Sequence, residues 1–376
     1  MIRGGYGMYY GRTASILIGT AHSQNGVQVQ TYSLSRANAV QAALIPTYPA
    51  ILNAPPSLAR TPDIYVVAPD YVQPLTHQAS FNYELQLGRD YALTFGYLGV
   101  RGTHLSRTRD INHFPFVGET ARFVDGSNIT VLRRPGTRPY RNFGRVSLFD
   151  SGGDSIYHGG FVQVQKRFAQ SFQLLSSYTF SKVIDTLPDQ TSVVPGNGGD
   201  DAKVAFDTLN PNADRAVGDT HIPHRFVASG VWDINYANGM KNPAAKTILG
   251  GWQISAILSA QSGRWLTARS NVDLNNDGNR FSDRSPGFGR NSIEGPGFAG
   301  LDMRISKDIF LGNERVKLRL MGEAFNSLNR ANFSAIQQTP YNYNATTREF
   351  TRVANFLAPT NTFDPRILQI AARFSF

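Results

Sequence analysis

Four side chains between residues 273 and 283 have the spacing of a calcium-binding loop. The segment reads Asp-Leu-Asn-Asn-Asp-Gly from residue 273, so carboxylate or amide oxygens recur at its first, third and fifth positions. The glycine at the sixth position permits the sharp turn that brings such oxygens onto one cation. The twelfth position is Arg284 in place of a bidentate Glu, and Asp283 could substitute for it. The pattern predicts an extracellular calcium site, although a turn rich in Asp and Asn would read the same. Its ligands would be Asp273, Asn275, Asp277 and Asp283.

Other candidate reactive groups form weaker patterns. His221 and His224 could bind a metal together, but residues three apart on a strand point to opposite faces, and Pro223 lies between them. The favoured interpretation is an entry from a loop into a strand. The sequence contains no nucleophile elbow, phosphate-binding loop, zinc-protease motif or dinucleotide fingerprint, and it has no cysteine. We therefore expect no enzyme and no cofactor apart from Ca²⁺, with an outer-membrane hydrolase built from dispersed residues as an alternative.

The formal net charge of +10 suggests an anionic partner. Basic residues are spread over loops and strands without a basic helix, so we expect no nucleic-acid partner. The densest group is five arginines in one loop, where fixed cations would lower the energy of neighbouring phosphates. The group is the best candidate for contact with outer-membrane lipid or lipopolysaccharide, although a solvated loop is the favoured interpretation. It consists of Arg133, Arg134, Arg138, Arg141 and Arg145.

The last twelve residues, Pro365 to Phe376, show the period of two that is typical of a strand. Ile370, Phe374 and Phe376 share an apolar face, while Gln369 and Arg373 lie on the other. A half-apolar strand that ends on a C-terminal Phe is typical of the closing strand of an outer-membrane β-barrel. An edge strand of a soluble sandwich shows the same alternation.

The same period recurs upstream, in segments joined by connections of two alternating kinds. Tight turns such as Gly88-Arg89-Asp90, and one near Leu311-Gly312-Asn313, alternate with long polar loops such as 101–157. Gly26–Leu34 could form a short strand, but the alternation assigns it to the long loop between the first two wall strands. Outer-membrane barrels have short periplasmic turns at one rim and long extracellular loops at the other, whereas a soluble sandwich has no reason to sort its loops. The sequence thus predicts an all-β antiparallel transmembrane β-barrel with about ten wall strands. They lie near 2–10, 81–87, 91–97, 160–167, 172–180, 221–236, 250–267, 301–306, 316–323 and 365–376.

The N-terminus has no visible export signal, although an outer-membrane barrel must be exported. No apolar run approaches the roughly twenty residues of a membrane helix. The opening MIRGGYGMYYGR enters a strand directly, without the apolar region of a signal peptide. We expect Met1 to be an internal point of a longer exported chain.

Eight segments carry a family resemblance that covers almost the whole chain. They are GGYGMYYGR, YTFSK, HRF, GGWQIS, DLNNDGNRFSDR, GRNSIEGPGFAGLDMRISK, GEAFNSLNRANF and PRILQIAARFSF. In this order they resemble the C-terminal barrel part of TonB-dependent outer-membrane receptors. The most similar group is the Oar-like one, whose members carry a carboxypeptidase-regulatory-like domain.

The resemblance implies a plugged barrel of about 22 strands, of which residues 1–376 supply roughly the last ten, without plug, regulatory-like domain or signal peptide. It implies uptake of an unknown extracellular ligand across the outer membrane, with TonB contacted only through the missing plug. It also implies that the barrel-assembly machinery reads the terminal pattern of Phe376, Phe374 and Ile370. A stand-alone adhesin or structural barrel is the alternative.

Overall fold

The computed structural model describes residues 1–27, 29, 34, 36, 39–51, 61–186, 204–237, 239–310 and 316–376. Its helices are α1 (Ser15–Ser23), α2 (Ala39–Ala42) and α3 (Pro243–Leu249), with a 3₁₀ turn at Pro211–Asp214. None of the helices in these ranges is long and apolar enough to cross a membrane. The strands are β1 (Ile2–Tyr10), β2 (Ile64–Val67), β3 (Leu75–Leu87), β4 (Tyr91–Asp110), β5 (Val117–Phe123), β6 (Asn128–Arg133), β7 (Val146–Ala169), β8 (Phe172–Asp185), β9 (Ala216–Val217), β10 (His224–Ile234), β11 (Trp252–Gln261), β12 (Trp265–Leu266), β13 (Ile293–Glu294), β14 (Phe298–Phe310), β15 (Lys317–Phe325), β16 (Phe333–Ile336), β17 (Tyr341–Asn344), β18 (Glu349–Arg352), β19 (Pro359–Thr362) and β20 (Ile367–Ser375).

In the described part of the chain, ten strands form one antiparallel sheet in the order β1-β3-β4-β7-β8-β10-β11-β14-β15-β20. We call it the main sheet. Its strands are those that the alternating segments predict, so the all-β antiparallel prediction is confirmed. The short strands β2 and β9 pair with β7 and β8. Within the described ranges β1 pairs only with β3, and β20 only with β15, so the sheet is open at both edges.

Most large apolar residues of the main sheet share one face and remain exposed, while a few, such as Phe161 and Ile257, lie on the other. Cross-strand partners lie on the same face of a sheet, and Phe81 pairs in register with Tyr97. Phe81 is 49% exposed and Ile370 is 91% exposed. In a soluble sandwich a second sheet would cover such side chains, and none does among the residues described. We call this the apolar face of the main sheet, and the opposite one the polar face.

Two central strands extend well beyond the segments that the period predicts. β4 continues to Asp110 and β7 begins at Val146, so the long loop predicted at 101–157 is in fact residues 111–145. The two strands stay paired to their ends, with register shifts between Gly102 and Arg107. Such irregularities bend a strand and redirect its side chains. Polar residues occupy both faces of this extension, which therefore shows no apolar alternation.

Other boundaries move by a few residues. The strands predicted at 221–236 and 250–267 are shorter, and the closing strand begins at Ile367 rather than Pro365. The connection between β10 and β11 contains the helix α3. The predicted turn at Leu311-Gly312-Asn313 and most of Gly26–Leu34 lie outside the described residues.

Buried residues concentrate in the long connections, which we call the loop cap: residues 61–74, 111–145, 204–223, 262–297 and 326–366. The small sheet β17-β18-β5-β6 joins two of these connections, because β18 pairs in parallel with β5. Phe123, Val131, Leu274 and Phe350 pack together at this sheet. Full burial of one such side chain stabilises a fold by about 1.5–3 kcal/mol. The loop cap is therefore a packed structure that can hold polar side chains in fixed positions.

Candidate functional site

The predicted calcium-binding segment is a tightly hydrogen-bonded turn in the loop cap. Asp273 accepts from the backbone N–H groups of Asp277 at 3.1 Å and Gly278 at 2.9 Å. Asn275 Oδ1 accepts from the same Asp277 N–H at 2.9 Å. Asn276 and Gly278 have φ of +61° and +85°, a left-handed conformation that Asn and Gly adopt most readily. The sequence placed the turn correctly.

Asp283 reaches this turn from outside it and is almost fully buried. Its Oδ2 accepts from the Leu274 N–H at 2.6 Å, while its Oδ1 is buried and has no partner among the described residues. Burial, reinforced by the charges of Asp277 and Asp273, raises the pKa of Asp283 to about 8. Burial also raises the pKa of Asp277. Burial and mutual repulsion therefore favour the protonated forms of these two carboxyl groups, and a bound cation would favour the ionised forms.

The four predicted ligands are thus neighbours, but they do not form a finished metal centre. Both carboxylate oxygens of Asp273 already accept backbone N–H groups. Across the described ranges, no three His, Asp or Glu side chains are arranged so that they could hold a metal ion. The calcium site stays a prediction.

The five-arginine group of the loop 133–145 does not form a lipid-facing cluster. The Arg134 side chain is fully buried, and its guanidinium binds Phe114 O at 2.7 Å and Asp207 Oδ1 at 3.0 Å. Arg138 and Arg145 donate to the backbone carbonyls of Asp277 and Gly278. Arg133 contacts Glu119 and Tyr343, and only Arg141 is simply exposed. The expectation that this group faces lipid is corrected: these cations bind the loop cap together.

Asp110, at the end of β4, is one anchor of this network. Its Oδ2 lies 2.9 Å from both His113 Nε2 and Arg138 Nη1, and its Oδ1 accepts from the N–H groups of Asn112 and Val146. Burial alone would raise the pKa of Asp110, but the hydrogen bonds and charges of His113 and Arg138 outweigh it and lower the pKa to about 2. The carboxylate therefore fixes the loop to the end of the main sheet.

A second network was not predicted. Buried Arg290 donates to Asp185 Oδ1 at 2.5 Å and to Asp219 Oδ1 at 3.3 Å, which joins the end of β8 to the loop cap. Arg284 and Asp214 form a further pair at 2.5 Å. These contacts join residues at least seventy positions apart, so local spacing could not reveal them. Arg290 does lie in the segment GRNSIEGPGF, one of those that carry the family resemblance.

A cavity of about 240 Å³ lies beside this second network. Four arginines line it together with Trp265, namely Arg264, Arg269, Arg284 and Arg290. Arg284 and Arg290 are already paired with carboxylates, whereas Arg264 is exposed and Arg269 donates to the Phe281 carbonyl. Asp219 and Asp283 also line the cavity, so its four guanidinium groups outnumber its two carboxyl groups, which suits a ligand with an anionic or strongly hydrogen-bonding group.

The two histidines near 221 bind separate partners. His224 Nδ1 lies 2.7 Å from the Tyr178 hydroxyl, and His221 Nδ1 accepts from the Val183 N–H at 3.3 Å. Burial lowers the pKa of His221, and the charge of Lys182 acts in the same direction. β10 begins at His224, so the two histidines lie where the chain enters a strand, as the sequence suggested.

The predicted barrel-assembly residues lie at the open β20 edge. Ile370 and Phe376 are more than nine-tenths exposed, and the rings of Phe374 and Phe376 lie 6.0 Å apart. Their recognition by the assembly machinery stays a prediction.

Comparison with known proteins addresses the fold. A family model described as an outer membrane beta barrel domain matches residues 1–287 and 286–369. The outer membrane transporter YddB from Escherichia coli aligns with a TM-score of 0.50 and 10% identity, over 99% of this chain and 38% of its own. The siderophore receptor PirA from Acinetobacter baumannii aligns with a TM-score of 0.46 and 8% identity, over 100% of this chain and 38% of its own. No curated protein matches the sequence. The likeness to YddB shows the fold, and the chain spans about 38% of that transporter's length.

Proposed function

Because the chain belongs to the outer membrane beta-barrel domain family, we propose that it is part of a TonB-dependent receptor that takes up a ligand across the outer membrane. The observation that carries the proposal is the loop cap. A packed, ion-paired assembly stands at one end of a sheet whose apolar face is left exposed, as lipid contact requires. With the tight turns on the periplasmic side, as in other outer-membrane barrels, the cap is extracellular and meets the ligand first.

The open edges support a larger barrel. Within the described residues, β1 and β20 each have one strand neighbour, and a barrel in lipid needs every strand edge paired. We propose that further strands close the barrel to about 22, the size class whose lumen holds a plug. TonB would be contacted through that plug. Membership of the Oar-like group rests on the eight segments that resemble it.

The cavity in the loop cap supplies the proposed ligand contact. Arg264 and Arg269 reach it from the exposed side and would bind an anionic group, such as the carboxylate of a peptide or of a metal chelate. Trp265 Nε1 is buried without a partner among the described residues and would add a donor if the loop adjusted. A glycan with acidic substituents fits the same chemistry.

Uptake by whole cells tests the proposal. Cells with the full-length protein, cells without it and cells without TonB are compared for accumulation of labelled acidic peptides, acidic glycans and iron chelates. We expect one class to accumulate only when both proteins are present, and Arg264→Gln to reduce that accumulation. Equal accumulation in all three strains, for every class, would contradict the proposal and favour an adhesin or structural barrel.

A further inference from the structure

A tyrosine–histidine contact repeats three times along the main sheet, counting the described residues. In each case a Tyr hydroxyl lies 2.6–2.7 Å from a His Nδ1 on the neighbouring strand, and the ring centroids are 6.1–6.2 Å apart. The Tyr belongs to the strand that enters a long connection, and the His to the strand that leaves it. The pairs are Tyr6–His77, Tyr97–His158 and Tyr178–His224. We call the three histidines the histidine row.

The histidine row lies at one height on the apolar face. His77 is ten residues from Leu87, where β3 ends at a tight turn, and His224 is ten residues from Ile234, where β10 ends. A tilted strand needs about nine to eleven residues to cross the hydrocarbon of a membrane. With the tight turns at one membrane surface, the histidines therefore lie at the other. Exposed Phe95 and similar side chains occupy the face between them.

A cation stands directly opposite two of these histidines. His77 pairs in register with Arg101 on β4, and His158 with Lys182 on β8. Directly opposed residues have Cβ atoms about 4.5–5.5 Å apart, so each pair forms one group. Arg101 and Lys182 are exposed, and neither forms a hydrogen bond or salt bridge with any residue that the structure describes. By contrast, Arg319 on the polar face is paired with Asp308 at 2.6 Å.

The tyrosine contact allows each histidine to present a donor. When the phenol donates to Nδ1, that nitrogen accepts, and the ring proton of a neutral imidazole is on Nε2. Each group then presents an imidazole N–H beside a guanidinium or ammonium, which are donors without acceptors. A phosphate has the opposite chemistry, with several acceptor oxygens and a negative charge.

The third pair lacks the cation. The residue opposite His224 is Ser262, whose hydroxyl accepts from the His224 N–H at 2.9 Å. It offers a comparison within the same sheet, because the tyrosine–histidine geometry is kept and the opposing positive charge is missing.

We propose that His77 with Arg101, and His158 with Lys182, bind the phosphate groups of a phosphorylated lipid in the outer leaflet. The position of both groups at the upper limit of the apolar face places them level with headgroups rather than with a soluble ligand above the cap. The exposed aromatic residues below them would contact the acyl chains of the same lipid. The inference rests on the proposed orientation, with the loop cap outside the cell.

Titration with defined lipids tests it. The full-length protein is purified in a non-ionic detergent and titrated with micelles of a bisphosphorylated glycolipid, with the same glycolipid after dephosphorylation, and with inorganic phosphate. We expect the phosphorylated lipid to bind at least about tenfold more tightly than the other two, since one charge-assisted hydrogen bond is worth about that factor. Arg101→Gln with Lys182→Gln should remove this preference, and Ser262→Lys should add a further binding equivalent.

Arg225→Gln is the matched control, because Arg225 follows His224 directly and lies exposed on the polar face. It should leave lipid affinity within about twofold. An equal loss of lipid affinity in this control, or an unchanged lipid affinity in the double variant, would overturn the assignment. Inorganic phosphate binding as tightly as the lipid would show a soluble-anion site instead. Ligand uptake is measured separately in cells, so a failure here leaves the transport proposal standing.

Discussion

At the scale of single residues, the sequence predicted the position of the Asp-rich turn correctly but did not predict the surroundings of its side chains. Spacing predicted that Asp273, Asn275 and Asp277 share one turn, and they do. Spacing did not show that Asp283 is buried with one oxygen unpartnered, because burial depends on packing by the rest of the loop cap. The ion pairs of Arg134 and Arg290 were beyond prediction for the same reason, since their partners lie far away in the chain.

Calorimetry with Ca²⁺ checks the turn. We expect the folded protein to bind Ca²⁺ because a divalent cation would relieve the repulsion among three carboxylates. Asp277→Asn should weaken binding at least about tenfold, because one buried anionic ligand is lost. Asp125→Asn is the control, since Asp125 is exposed in another turn of the cap. If Ca²⁺ produced no heat of binding, or the same heat in Asp277→Asn, the predicted calcium site would be wrong.

Asp110 gives a prediction about pH. Its pKa falls from 3.8 to about 2 on folding. A lowered pKa stabilises the folded state fully above the unfolded value, and this contribution is lost as the pH falls from about 4 to about 2. The shift corresponds to about 2 kcal/mol.

Asp110→Asn at neutral pH should remove a similar amount, seen as faster hydrogen exchange at the amides of Asn112 and Val146. The exposed pair of Asp154 with Arg215 is the comparison, and Asp154→Asn should cost about 0–1 kcal/mol. Equal hydrogen-exchange rates at these two amides in both variants would show that the Asp110 network does not hold the loop to the sheet.

At the scale of elements, alternation located the membrane-crossing parts of the strands and missed their extensions. Lipid on one side and polar groups on the other impose a period of two only within the hydrocarbon. Beyond it, β4 and β7 continue with Arg107 and Asp150 paired across them, and backbone hydrogen bonding there needs no apolar pattern. The sequence therefore predicts where strands cross, and the length of the loops between them is overestimated.

Gly153 tests the extension. A Cβ at this position would lie 2.7 Å from the Leu105 carbonyl oxygen of the paired strand. Gly153→Ala should therefore destabilise the extension by about 1–3 kcal/mol, as overpacking does. The readout is hydrogen exchange at residues 105–110 and 146–152. Gly160→Ala, on the same strand but with its nearest atom 3.9 Å away, should leave exchange unchanged. Equal protection in both variants would mean that the extension is not paired as described.

At the scale of the whole molecule, the question is what covers the apolar face. Val162 and Gln163 are adjacent in β7 and point to opposite faces, with Phe95 and Tyr178 beside Val162, and Thr94 and Ser177 beside Gln163. Because both lie midway between His158 and the tight turn after Ala169, they sample the same depth. A comparison of the two positions therefore separates the environment of each face from the depth in the membrane.

Val162→Arg should cost about 2–4 kcal/mol of stability in lipid vesicles, because a guanidinium at mid-depth on the lipid face loses its hydration. Gln163→Arg should change stability by about 0.5 kcal/mol or less, because a polar interior hydrates the new charge. Reversible urea unfolding in vesicles measures both. Equal costs would show that the apolar face packs against protein. A larger cost at Gln163 would reverse the assignment of the two faces, and with it the position of the histidine row relative to lipid.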